Sequence, residues 1–88
     1  MYNYQEERHK IFTEEGSVKF NKVRDNVKAL LKQSGAVSMY HAIKVISGDG
    51  WEMMAYVDRL VELGEIREIT GSDVAGQDRV FVEVIRNA

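Results

Sequence analysis

Residues 49–69, DGWEMMAYVDRLVELGEIREI, carry the signals of a helix that ends abruptly and leads into a strand. Asp49 is followed three residues later by Glu52, which matches a capping box with Asp in place of the usual Ser or Thr. Gly64 comes directly after the last apolar residues and suits a left-handed turn that ends a helix. These signals predict a helix over about residues 51–63.

The predicted helix has one apolar side and one outward side. Apolar residues recur at helical spacing and predict a buried side, made of Trp51, Met54, Val57, Leu60 and Val61. The outward side is predicted to carry Glu52, Met53, Ala55, Tyr56 and Arg59. After Gly64 the period changes towards that of a strand, which is predicted over residues 65–70.

Two more helices are predicted on the N-terminal side of this stretch. The first has an apolar stripe at helical spacing, made of Phe20, Val23, Val27, Leu30 and Leu31. Ser17 is its predicted N-cap, and Gly35 its predicted end. Ser38 is suited to cap a short second helix over residues 39–46, and residues 36–38 could pair at a sheet edge.

The two ends of the chain complete the pattern. Residues 79–85, RVFVEVI, alternate between two faces and predict a strand that forms an antiparallel hairpin with residues 65–70. Residues 1–16 predict either a short N-terminal helix or a frayed tail. A short apolar helix outside the main domain, residues 17–88, also suggests a homodimer formed through the N-terminal segment.

Composition excludes several classes of protein. The chain has 88 residues and no cysteine, which fits one domain without disulfides or thiolate metal sites. No apolar run approaches the length of a membrane span, and the first residues are polar and charged, so a cytoplasmic protein is expected. His9 and His41 lie far apart and outside any metal-ligand motif, so neither an enzyme nor a cofactor is predicted.

The order of predicted elements resembles that of winged helix-turn-helix domains, an α+β fold with three helices and a C-terminal β-hairpin wing. The resemblance is most specific at Val57, Leu60, Gly64 and Ile66. Winged helices commonly place two apolar residues three apart, a glycine four residues later and an apolar residue two beyond it. This superfold hosts DNA readers, RNA binders and protein-interaction modules, so the resemblance alone does not decide the function.

The resemblance implies binding of double-stranded DNA, with the third helix in the major groove, by a small regulator or accessory factor of transcription. Arg59 would contact guanine, Glu52 would accept from cytosine, and Tyr56 would reach a phosphate or base edge beside Met53. The implied backbone contacts are Lys19, Lys22 and Lys44, with Arg79 near the wing tip. A competing interpretation pairs Arg59 with Glu62 inside the helix and partly buries Met53 and Tyr56.

Charge favours a second function. Residues 49–78 hold eight acidic residues against Arg59 and Arg67, a net charge of −6, which repels phosphate. An alternative is therefore a protein–protein interaction module that binds a basic partner through its acidic third helix and wing, without DNA.

Overall fold

Four α-helices and a small antiparallel sheet make up residues 1–85, the part of the chain that the computed structural model describes. The helices are α1 (Tyr4–Glu7), α2 (Glu14–Ser34), α3 (Met39–Ala42) and α4 (Gly50–Glu62). The strands are β1 (Val37–Ser38), β2 (Ile66–Glu68) and β3 (Val80–Glu83). Short 3-10 turns follow α1 and precede β3. The predicted α+β class is confirmed.

Helix α2 begins earlier than predicted. Its N-cap is Thr13, whose hydroxyl accepts a hydrogen bond from the Gly16 amide at 2.9 Å, so the prediction of Ser17 as the cap is wrong. Gly16, the last residue of the segment predicted to be a short N-terminal helix or a tail, lies in the first turn of α2. A Cβ there would lie 2.1 Å from the Ile11 carbonyl oxygen, so only glycine permits this close approach. At the other end, Gly35 terminates α2 with a φ of 77°, as predicted.

Helix α3 is shorter than predicted and ends at Ala42. Ser38 caps it as expected, accepting from the His41 amide at 3.2 Å. The Asn26 side-chain amide donates to the carbonyl oxygens of His41 and Ala42 at 2.9 and 3.0 Å. Because α2 satisfies these carbonyls, the chain can leave the helix one turn early.

Both predicted ends of α4 are confirmed, with Asp49 as the N-cap and Gly64 in the left-handed turn that follows the helix. The Asp49 carboxylate accepts from the Trp51 amide at 3.3 Å, and Gly64 has a φ of 75°. The predicted faces are partly wrong, because Ala55 and Tyr56 are buried rather than outward, and the Trp51 side chain is 43% exposed. Helix α4 is covered on more sides than an amphipathic pattern predicts.

The sheet has the strand order β1-β3-β2, with both pairs antiparallel. The predicted hairpin and the predicted sheet-edge pairing of residues 36–38 are confirmed, although each strand is shorter than its sequence pattern. Phe81 on the central strand pairs with Val37 on one side and Glu68 on the other. Its side chain is fully buried, so the sheet closes the core beside α2 and α4.

The first twelve residues, here called the N-terminal segment, are mostly helical and pack on α4 of the same chain. Ile11 and Glu7 are each only 4% exposed, so the segment contributes to the core. It covers the side of α4 that the amphipathic pattern left open. The Tyr2 hydroxyl of this segment contacts Asp58, which is buried.

Candidate nucleic-acid interface

Carboxylates on α4 hold the N-terminal segment. The Tyr2 hydroxyl donates to Asp58 Oδ2 at 2.6 Å, and the Tyr4 hydroxyl donates to Glu62 Oε1 at 2.8 Å. Arg8 Nε donates to Glu62 Oε2 at 2.8 Å. Two of the eight acidic residues counted against phosphate binding, Asp58 and Glu62, therefore serve as acceptors for the chain's own N-terminal segment.

These contacts change the proton affinities of the groups involved. Hydrogen bonds from Arg8, Tyr4 and Arg59 lower the pKa of Glu62 to about 2. Burial and the hydrogen bond to Glu62 raise the pKa of Tyr4 to about 12. Burial, together with the hydrogen bond to Asp58, raises the pKa of Tyr2 well above its ordinary value. At neutral pH each tyrosine is therefore a donor and Glu62 is a charged acceptor.

Arg59, predicted to read guanine, is engaged within the protein. Its Nη1 donates to Glu62 Oε1 at 2.6 Å, which is the intrahelical pair of the competing interpretation. The guanidinium carbons of Arg59 and Arg8 lie 5.0 and 4.8 Å from the centroid of the Phe12 ring. The ring thus lies against two cations, and reading of a base by Arg59 would require it to leave both partners.

Arg79, predicted near the wing tip, turns inward instead. Its Nη2 donates to Asp58 Oδ1 at 2.9 Å and to Glu68 Oε1 at 2.8 Å, and only 17% of its side chain is exposed. Thr70 also donates to Glu68, at 2.7 Å. The pKa of Glu68 is lowered, chiefly by its hydrogen bond from Arg79. Arg79 therefore joins the hairpin to α4, and its placement as a wing-tip contact is corrected.

The sequence count of acidic charge overstates what residues 49–78 present to solvent. Asp58 and Glu68 contact Arg79, Glu62 contacts Arg8 and Arg59, and Glu65 contacts Arg24 at 3.0 Å. Three of these four arginines, Arg8, Arg24 and Arg79, come from outside the acidic stretch. Residues 49–78 should therefore repel phosphate, and attract a basic partner, less strongly than their net charge of −6 suggests.

Three of the predicted nucleic-acid contacts come together at the surface. Lys19 and Lys22 on α2 and Lys44 after α3 line a groove of about 340 Å³, here called the lysine groove. Lys19 Nζ lies 3.4 Å from both Glu15 Oε1 and the Ser47 carbonyl oxygen. Lys44 Nζ lies 4.7 Å from the centroid of the Tyr40 ring. Within residues 1–85, neither Lys22 nor Lys44 forms an ion pair.

The other predicted contacts on α4 are less available. Glu52 lies beside the lysine groove, since a Cβ at Gly48 would be 3.9 Å from its Oε2 and 3.6 Å from Lys19 Nζ. Met53 is partly buried against the core. Tyr56 is 1% exposed, and its predicted outward orientation is wrong. Burial raises the pKa of its hydroxyl.

Comparison with protein-family models, curated proteins and solved structures returns no significant match. Within residues 1–85, no helix is long and apolar enough to cross a membrane. The same residues contain no group of three or more His, Cys, Asp or Glu side chains arranged to hold a metal ion.

Proposed function

We propose that this chain is a winged-helix protein that associates with the phosphate backbone of double-stranded DNA through the lysine groove. The strand between α2 and α3, the glycine turn after α4 and the C-terminal hairpin support the winged-helix assignment. The β1-β3-β2 strand order agrees with it. The protein would act as a regulator or accessory factor rather than as an enzyme.

The observation that carries the proposal is the convergence of Lys19, Lys22 and Lys44 on one groove. Lys19 and Lys22 lie on α2, whereas Lys44 follows α3 and is 25 positions after Lys19. Folding therefore brings these lysines together. An ammonium group that neutralises a phosphate releases a condensed counterion, so the affinity falls as the salt concentration rises. In a plot of the logarithm of affinity against the logarithm of salt concentration, each phosphate contact adds about −0.9 to the slope. Three contacts predict a slope of about −3 and weak, salt-sensitive binding.

Backbone association fits the geometry better than base reading by α4. Tyr56 is buried, Arg59 is held by Glu62 and Phe12, and Arg79 is held by two carboxylates. Phosphate contacts position a protein on DNA but carry no sequence information directly. The proposed association is therefore largely independent of base sequence.

The alternative is a protein-interaction module that uses the acidic α4 and wing. Asp73 and Asp78 in the wing loop are exposed and form no ion pair among residues 1–85, which favours this function at the wing. On α4, however, Asp58 and Glu62 are already bound within the chain. A basic partner would therefore find its acceptors on the wing rather than on the helix.

Fluorescence anisotropy of a labelled mixed-sequence duplex at two low salt concentrations tests the proposal. The variant Lys22→Glu/Lys44→Glu is expected to weaken binding by about tenfold or more, since two favourable contacts become repulsive. The control Lys32→Glu/Arg67→Glu makes the same net charge change at exposed positions outside the groove. Equal losses in both variants, or no binding of the wild-type protein even at low salt, would contradict the proposal.

A further inference from the structure

A second groove runs along another side of α2 and continues past the end of α4. It consists of two cavities of about 530 and 460 Å³ that share Leu63. Here it is called the α2 groove. The apolar residues that line its first part are Ile11, Phe12, Phe20 and Leu63. Its second part is lined on the α2 side by residues including Arg24, Lys28 and Leu31, and on the sheet side by residues including Glu65 and Glu83. None of the residues proposed to contact DNA through the lysine groove lines it.

The first part of the α2 groove presents apolar side chains to solvent. Phe12 is 49% exposed and Leu63 is 40% exposed, although both lie beside the buried core residue Ile11 or Leu60. Arg8 and Arg59 flank the Phe12 ring at 4.8 and 5.0 Å, so the ring is already oriented before any partner arrives. A rigid, partly exposed aromatic ring loses little side-chain entropy on binding and makes an effective anchor.

The second part carries two opposite charges on facing walls. Lys28 projects from α2 and Glu83 from β3, and both are exposed. Within residues 1–85 neither Lys28 nor Glu83 forms an ion pair. Arg24 and Glu65, which line the same part of the groove, pair with each other at 3.0 Å. The groove therefore offers one unsatisfied cation and one unsatisfied anion on either side of an apolar floor.

The opposite charges of Lys28 and Glu83 make this groove complementary to the same groove on a second copy of the chain. In an interface with two-fold symmetry, residue i of one copy contacts residue j of the other, and j contacts i. Lys28 of each copy could then meet Glu83 of the other, so that both charges on both copies are paired. A partner of a single charge sign would satisfy one wall and repel the other.

We propose that the α2 groove is the interface of a homodimer, with Lys28 and Glu83 paired across the two-fold axis. The N-terminal segment contributes Phe12 to this surface. Two of its other side chains, Tyr4 and Ile11, pack against the core of their own chain. Of residues 1–16, through which a dimer contact was expected, this proposal uses Phe12 as the exposed apolar anchor. The proposal does not depend on DNA association, and its test contains no DNA.

Sedimentation velocity over a range of protein concentrations tests the proposal through charge exchange. Each substitution occurs twice in a two-fold interface, so Lys28→Glu or Glu83→Lys alone is expected to raise the dimer dissociation constant by about tenfold or more. An equimolar mixture of the two single variants restores both opposite-charge contacts and should form dimers again. The double variant Lys28→Glu/Glu83→Lys should also dimerise.

The control Lys32→Glu changes an exposed charge on the same helix outside the groove and should leave the dissociation constant unchanged. Circular dichroism verifies that each variant is folded. A wild-type protein that remains monomeric at millimolar concentration would overturn the proposal, even if it bound another protein at this groove. Dimers that persist in both single variants, or that fail to return in the mixture, would also overturn it.

Discussion

Arg8 Nε lies 2.8 Å from Glu62 Oε2, although the two residues are 54 positions apart in the chain. Glu62 also accepts from Tyr4 at 2.8 Å and from Arg59 at 2.6 Å. One carboxylate on α4 therefore joins the N-terminal segment to the helix. An acidic side chain that weighs against phosphate binding in the sequence has a structural role in the folded chain.

Replacing Glu62 with Gln should lower the free energy of unfolding by about 1 kcal/mol at pH 7. The substitution weakens three hydrogen bonds, but the groups are partly exposed, and partly exposed ion pairs contribute little each. Urea denaturation measures the change. Asp73→Asn in the exposed wing loop is the control and should have almost no effect. Equal stability of Glu62→Gln and the wild-type protein would show that these contacts do not hold the segment.

The stabilisation from Glu62 should depend on pH with a defined sign. Its folded pKa of about 2 lies below the ordinary value of 4.5, so the stabilisation is complete above about pH 4.5. It should be lost as pH falls from 4.5 towards 2, where the carboxyl becomes protonated in the folded state as well. Urea denaturation at several pH values should show the wild-type and Glu62→Gln proteins converging in this window. A difference that is constant down to pH 2 would contradict the assignment.

Tyr4 should produce the opposite dependence at high pH. Its folded pKa of about 12 lies above the ordinary value of 10.0, so its contribution is complete below pH 10 and is lost as pH rises towards 12. Tyr4→Phe removes the ionisable hydroxyl. Differential ultraviolet absorbance of the phenolate should therefore lose a late transition near pH 12 in this variant. Loss of a transition near pH 10 instead would mean that Tyr4 does not donate to Glu62.

Replacing Arg79 with Met should destabilise the protein by about 2–3 kcal/mol. The substitution leaves the Asp58 and Glu68 carboxylates without their cation in a partly buried site, where an uncompensated charge is costly. Arg67→Met, on the neighbouring strand and exposed, is the matched control and should change stability by less than about 0.5 kcal/mol. Chemical denaturation compares the two. Similar small effects would indicate that Arg79 is not part of the core network.

Gly16→Ala should destabilise the protein, although alanine is the better helix former. The new Cβ would lie 2.1 Å from the Ile11 carbonyl oxygen, so the turn before α2 would have to move. Gly50→Ala is the control, because a Cβ there meets nothing within 4 Å and should be neutral or slightly stabilising. Thermal unfolding distinguishes the two substitutions. A stabilising effect of Gly16→Ala would contradict the close packing of the N-terminal segment on α2.

Local signals in the sequence were sufficient for much of the fold. Asp49, Gly35 and Gly64 act through hydrogen bonds and backbone angles within a few residues of themselves, so their positions predict helix ends correctly. The cap of α2 was missed because Thr13 and Ser17 are both suitable residues. Only the packing of Ile11 against Gly16 decides between them.

For the candidate site, the sequence predicted which charged residues could contact DNA, but not where the fold places them. The three lysines of the lysine groove were identified, but their convergence required the folded chain. The inward turn of Arg79 and the covered α4 were missed because their partners lie 11 to 58 positions away. An amphipathic pattern reports one buried side of a helix. It gives no signal when polar side chains such as Asp58 are buried by a distant segment.

Carbon-detected NMR titration of the Glu62 carboxyl tests most directly whether the chain's own N-terminal segment covers α4. The three donors seen here predict a pKa of about 2, rising when Arg8 is replaced by Met. A pKa near the ordinary value of 4.5, unchanged in Arg8→Met, would contradict this account and leave α4 open to contact DNA.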